Sequence, residues 1–206
     1  IPLPSNDYTY GNSHANFGID AQAHVWTVLN YTTSGQAIVG EFDGNQWTLH
    51  ELSAFGQEPD PKDAWAHDLL GNVYLLIKGH ISPTQLLRYD GQQWNEINLP
   101  PIGDAARYID HPLFVDSENQ LWLSLSDNSL QYYDGTTWHE FYPHSFGLNN
   151  GQPDKFYIDE QGHWWMLYDH YDDSYSTRSL YRYDGIAAQQ VDLSNSGLLS
   201  NYVNDI

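Results

Sequence analysis

Residues able to do chemistry crowd most densely between positions 168 and 178, which read YDHYDDSYSTR. Asp169, Asp172 and Asp173 place three carboxylates close together, a set that suits a hard, oxygen-seeking cation such as Ca²⁺. The stretch nevertheless lacks the spaced ligands and the glycine of a known calcium loop. Its remaining residues suit a different partner. His170, Tyr171, Tyr175 and Arg178 offer aromatic faces beside hydrogen-bonding groups, the combination that holds a sugar or another small polar ligand. His80, Arg107 and His144 join them as candidate ligand contacts, because they stand in or beside the long connections of the chain. The 10 histidines invite a zinc or catalytic reading, but no pair has the i, i+4 spacing of a helical zinc site. His67 and His139 read instead as hydrogen-bonded packing residues. Cysteine is absent, and no Gly-x-Ser-x-Gly or phosphate-binding glycine loop occurs, so no catalytic residue and no cofactor is assigned, and Ca²⁺ is a minor alternative at the three carboxylates.

A scaffold must hold these residues, and the chain writes it as a repeat. FDGNQW (42–47), YDGQQW (89–94), YDGTTW (133–138) and YDGIAA (183–188) recur at intervals of 44 to 50 residues. Each is preceded by a second signature, an Asp followed six residues later by an aromatic: Asp20/Trp26, Asp68/Tyr74, Asp116/Trp122 and Asp159/Trp165. Asp-Gly between β-rich segments predicts a tight hairpin, since Gly supplies a positive φ. Three residues after the earlier Asp come Ala23, Gly71, Asn119 and Gly162. Gly and Asn tolerate the left-handed conformation that a second hairpin turn needs; Ala does not, so the turn at Ala23 is expected to differ.

Between the turns lie short apolar segments, VWTVL (25–29), VYLLI (73–77), LWLSL (121–125) and WWMLY (164–168), apolar on both faces like strands covered from both sides. Third strands precede each Asp-Gly. Fourth strands start at Trp47, Trp94, Trp138 and Ala188 and carry His50, Ile97, Phe141 and Val191 three residues on. The expectation is an all-β chain of four four-stranded antiparallel β-propeller blades, at about 14–52, 64–99, 108–142 and 154–193, within one propeller segment spanning 1–206. A sandwich would not need the same aromatic in the same slot of four successive units.

In such a blade the tight turns share one face, and the second-to-third-strand loops and the links between blades share the other. Those loops (30–37, 78–85, 126–129 and 169–179) and links (53–64, 100–108 and 143–154) vary in length, which marks their face for binding.

The composition narrows the partner. With 7 Lys+Arg against 27 Asp+Glu the formal charge is −20, a surface that repels phosphate backbones and anionic lipid, so nucleic acid is excluded as the expected partner. The longest apolar runs are far too short to span a bilayer, so no membrane insertion is expected.

Asp68-Leu69-Leu70-Gly71-Asn72-Val73-Tyr74, Leu180-Tyr181-Arg182-Tyr183-Asp184-Gly185 and the C-terminal Gly197-Leu198-Leu199-Ser200-Asn201-Tyr202-Val203 resemble the two-component-regulator type of β-propeller repeat. That family's repeats form extracytoplasmic sensor regions of bacterial hybrid histidine kinases and related secreted or periplasmic proteins. The Trp-Ile-Gly-Thr signal common in the family is missing, and no kinase, receiver or DNA-binding segment is present. The resemblance implies a non-enzymatic, extracytoplasmic ligand-binding or sensing module whose partner is a glycan or other small exterior molecule. The alternatives are a propeller enzyme (lyase or glycan-active hydrolase) and a scaffold that binds a protein partner or a second copy of itself. Against the repeat register, residues 1–5 read as the tail of a preceding blade and 202–206 as the start of a following one, so a larger propeller is expected.

Overall fold

The computed structural model describes residues 3, 5, 8–10, 17–32, 34, 36–56, 64–77, 84–100, 109–125, 129–141, 151–159, 161–172, 175–192 and 194–196. The expected new strand at 202–206, and positions 1, 2 and 4 of the expected tail, lie outside the described residues. Two compact units, residues 1–99 and 100–206, are described separately.

The first unit holds two antiparallel sheets. One comprises β1 (Tyr8–Tyr10), β2 (Phe17–Ile19), β3 (Val25–Tyr31), β4 (Ala37–Phe42) and β5 (Trp47–His50). The other comprises β6 (Ala64–His67), β7 (Val73–Ile77), β8 (Gln85–Tyr89) and β9 (Trp94–Ile97). In the second unit, β10 (Ile109–Val115), β11 (Leu121–Leu125), β12 (Leu130–Tyr133) and β13 (Trp138–Phe141) form one sheet. Its other sheet is β14 (Gly151–Ile158), β15 (Trp164–Asp172), β16 (Tyr175–Tyr183) and β17 (Ala188–Val191). Among the described residues the one helical element is a 3₁₀ turn at Ser53–Phe55.

The second, third and fourth sheets run in chain order, each strand pairing with the next, which is the meander of a propeller blade, and β2 to β5 of the first sheet follow the same order. The first sheet is four strands deep as well, because β1 and β2 both pair with β3, Tyr8 to Tyr10 along its far half and Phe17 to Ile19 along its near half. The leading strands of the third and fourth sheets shift register between Ile109 and Leu113 and between Pro153 and Lys155. Pro112 and Pro153 explain both shifts, since proline has no N–H for the ladder and is tolerated at an edge strand.

β7 and β11 are buried along their whole length, as their apolar sequences, broken only by Ser124 in β11, lead one to expect. In the first unit Trp26, Val39 and Leu52 pack with Val73, Leu75, Ile77 and Leu87, and Trp65, Tyr89 and Trp94 close around them. Each fully buried leucine there contributes about 1.5–3 kcal/mol relative to exposure. In the second unit Trp164 stands edge-on to Trp122 at 4.6 Å between ring centroids, and Met166, Tyr168 and Tyr183 pack around it. Trp65 and Trp164, outside the two repeat slots, are thus core residues.

The two turns within each blade lie at the same end of its sheet. The first is closed in blade one by Asp20 N–H to His24 C=O (3.1 Å) and Ala23 N–H to Asp20 C=O (3.0 Å). Ala23 does not depart from the pattern: it takes φ +64, beside +61 at Asn119 and +89 and +79 at Gly71 and Gly162. The three-residue loop needs a left-handed third residue to return the chain to β3, and the closing hydrogen bonds outweigh the Cβ penalty. In the second turn Gly135, at φ +95 and with close counterparts in the other blades, supplies the positive φ at the first of two central positions.

Candidate functional site

The repeated aspartates are structural ligands of their own turns. Asp116 Oδ1 accepts the backbone N–H groups of Glu118 (2.9 Å) and Gln120 (2.8 Å), while Oδ2 accepts the indole Nε1–H of Trp122 (2.8 Å). Asp20 does the same with Gln22, His24 and Trp26, and Asp159 with Gln161, His163 and Trp165. In blade two the donor is the Tyr74 hydroxyl, 3.0 Å from Asp68 Oδ2. The six-residue spacing therefore selects an aromatic with a polar hydrogen, one that fills the core and ties down the buried carboxylate. The Asp-Gly aspartates accept two turn amides each, as Asp43 does from Asn45 and Gln46. These bonds hold Asp43, Asp90 and Asp184 below the usual carboxylate range. Asp134 falls further, through Thr136, Thr137 and His139. His139 is hydrogen-bonded as expected, to Asp134 Oδ2 at 2.7 Å, and it stacks on Tyr132, but it lies exposed at the surface.

One polar cluster departs from this scheme. In blade one the Glu41 carboxylate lies between two imidazoles, 2.7 Å from His24 Nδ1 and 3.0 Å from His50 Nε2. Asp20 Oδ2 lies 3.6 Å from the same His24 nitrogen. His50 stacks on Trp26 at 5.1 Å and meets Tyr89 edge-on at 4.9 Å, so its ring is fixed inside the packed face. The His50 hydrogen bond is the largest influence on Glu41; with that of His24 it outweighs the cost of burial and holds the carboxyl below its ordinary value.

The other blades fill the same slots differently. Blade two has Asn72 and Arg88, with Arg88 Nε donating to Asn72 Oδ1 at 3.1 Å. Blade four has His163 and Arg182, with Arg182 Nη2 2.8 Å from His163 Nε2. An arginine only donates, so His163 Nε2 is the accepting, unprotonated nitrogen, and Nδ1–H donates to Asp159 Oδ2 at 3.1 Å. Blade three has Gln120 and Tyr132. Sequence reading missed the blade-one cluster, although one signal was available: a histidine at position 50 stands where Ile97, Phe141 and Val191 stand elsewhere.

The segment 168–178, expected as a loop, is mostly strand. β15 and β16 are nine residues each and pair without a break from Trp164↔Tyr183 to Asp172↔Tyr175. The polar side chains hid this by erasing the apolar alternation of a strand, while Tyr and Thr still support a two-stranded ribbon. Asp169 stands opposite Arg178, His170 opposite Thr177 and Tyr171 opposite Ser176. Asp169, His170, Tyr171, Asp172 and Tyr175 are described in backbone alone, and Arg178 is exposed. His80, Arg107, His144 and Asp173 lie outside the described residues. Among the described residues β17 covers β16 only from Leu180 to Tyr183, so the hairpin runs past its outer neighbour.

No described protein family matches the sequence, and no curated protein matches it. Solved structures do. PorZ, an essential surface component of the type-IX secretion system of Porphyromonas gingivalis, is 16% identical, with a TM-score of 0.53 over 88% of this chain and 26% of its own. The extracellular domain of BT4673 from B. thetaiotaomicron, described as a one-component system, is 16% identical, with a TM-score of 0.52 over 88% of this chain and 23% of its own. The SapL1 lectin in complex with α-methyl fucoside is 12% identical, with a TM-score of 0.53 over 95% of this chain and 65% of its own. The chain thus spans about a quarter of the first two and less than two thirds of the lectin. The likeness is one of fold: the four sheets are β-propeller blades.

Proposed function

We propose that the chain is a non-enzymatic, extracytoplasmic ligand-binding module that recognises a glycan or another small polar molecule through the β15–β16 hairpin. The observation that carries this reading is the overreach of that hairpin. Its outer half, with Asp169, His170, Tyr171, Asp172, Tyr175 and Arg178, continues past the end of its pairing with β17. On the other side β14 stays paired with β15 as far as His170, so Tyr171 and Asp172, with Tyr175 and Ser176 opposite them, lie beyond both neighbours. Carboxylates, tyrosines and an arginine on a projecting ribbon are the groups that hydrogen-bond and stack a sugar. That a propeller of similar fold, SapL1, was solved with α-methyl fucoside, and that PorZ and BT4673 act at the bacterial exterior, supports the ligand class and the location.

The test is calorimetric titration with α-methyl fucoside and a panel of neutral and acidic oligosaccharides, with and without Ca²⁺. A saturable interaction with at least one sugar is expected, lost in the Y171A/Y175A/R178A variant while its thermal midpoint stays that of the parent. Sugar binding that survives this variant, or none across the panel, overturns the reading.

A further inference from the structure

We propose that blade one carries a binding site for a divalent transition-metal ion, with Asp20, His24 and Glu41 as its protein ligands. Their donor atoms all lie within 4.8 Å of one another. His24 Nδ1 is 2.7 Å from Glu41 Oε1 and 3.6 Å from Asp20 Oδ2. Ligand atoms on a tetrahedral ion with bonds of about 2.0–2.2 Å stand about 3.3–3.6 Å apart, so the Asp20–His24 separation already fits and the Glu41–His24 pair is the one that must open. The His24–Glu41 pair must part by about 0.6–0.9 Å, and His24 must carry its ring proton on Nε2, for Nδ1 to take an ion.

Both carboxylate ligands are also aimed from behind. Asp20 Oδ2 accepts the Trp26 indole at 2.8 Å, and Asp20 Oδ1 accepts two turn amides. Glu41 Oε2 is held by His50 Nε2 at 3.0 Å, and His50 is fixed in turn by Trp26 and Tyr89. Donors of this kind fix the orientation of metal-binding carboxylates. Exposure grades outward, from 4% for the Asp20 side chain and 15% for Glu41 to 30% for His24, so the site is closed behind and open at the imidazole.

The repeat supplies an internal control. In blade four the matching Asp159–His163 pair faces the Arg182 guanidinium, which repels a cation, and in blade two Arg88 occupies that slot. Blade one alone among the four puts a carboxylate there and backs it with a histidine in a core slot. One imidazole with two carboxylates favours Zn²⁺ or Mn²⁺ over Ca²⁺, which takes six to eight oxygens.

The experiment uses the whole chain, stripped of metal by EDTA and dialysed, then titrated with Zn²⁺, Mn²⁺ and Ca²⁺ by calorimetry and thermal unfolding. One equivalent of Zn²⁺ is expected to bind saturably and raise the melting temperature. H24A should weaken the affinity at least about tenfold. E41R, which installs the residue of blades two and four, should abolish binding and still fold. H163A should bind as the parent does. Zn²⁺ binding unchanged in E41R and H24A, no one-to-one binding, or equal binding of Ca²⁺ would each overturn the proposal.

Discussion

Trp122 and Asp116 are joined by a hydrogen bond of 2.8 Å between the indole Nε1–H and carboxylate Oδ2, and both residues are buried. The same bond recurs from Trp26 to Asp20 and from Trp165 to Asp159. Removing the indole N–H leaves a buried carboxylate short of a partner, which costs about 1–3 kcal/mol. W122F is therefore expected to lower the urea midpoint clearly. In a double-mutant cycle with D116N the two residues should couple by about 0.5–3 kcal/mol. Additive effects of the two substitutions would show that the bond contributes nothing.

Ala23 holds a backbone conformation that glycine adopts without strain, at φ +64. A23G is expected to gain about 0.5–1 kcal/mol. Gly162 fills the same slot of blade four at φ +79, and an added Cβ there meets nothing within 4 Å. G162A should thus lose a similar amount for backbone reasons alone. Equilibrium unfolding of both variants checks the pair, and a loss of stability in A23G contradicts it.

Asp159 gives an acid signature. Burial raises its pKa, but hydrogen bonds from the Trp165 indole, from His163 through backbone and ring, and from the Gln161 amide outweigh that and hold it at about 2. The native carboxyl therefore binds its proton less tightly than the unfolded one, whose value is 3.8. Its stabilisation is complete above about pH 4 and is lost as the pH falls through about 2. D159N should melt lower than the parent at pH 7 and show a shallower decline from pH 4 to pH 2. A parallel decline in both proteins would refute the assignment.

Tyr168 gives the alkaline counterpart. Burial, reinforced by Tyr181, pushes its hydroxyl up to about 12 from 10.0. Here the native state holds the proton more tightly, so this contribution is intact below about pH 10 and is lost as the pH rises through about 12. Ultraviolet titration of tyrosinate should show a late step that disappears in Y168F.

The blade plan was legible because its signals are local. Asp-Gly, and the Asp six residues before an aromatic, each act within one turn, so their spacing revealed both hairpins in every repeat. The purpose of the six-residue spacing was not legible, since an indole used as a donor reads the same as one used only as bulk. Ala23 misled because propensity was weighed without the hydrogen bonds that close its turn. The stretch 169–178 misled because strand pairing there rests on backbone register, while its polar side chains mask the two-residue period. The cluster of His24, Glu41 and His50 joins residues 17 and 9 apart along the chain, and only the register of β3, β4 and β5 brings them together.

Each Asp–aromatic strut begins and ends within seven consecutive residues, as from Asp116 to Trp122. A blade therefore inherits its own fastening whenever its stretch of gene is copied. Duplication, loss or exchange of a whole unit leaves the strut intact, and the new copy needs to be fitted only where its faces meet its neighbours. This frees individual copies to diverge: blade one could acquire its imidazoles and blade four its long ribbon while the fastening beneath them stayed the same.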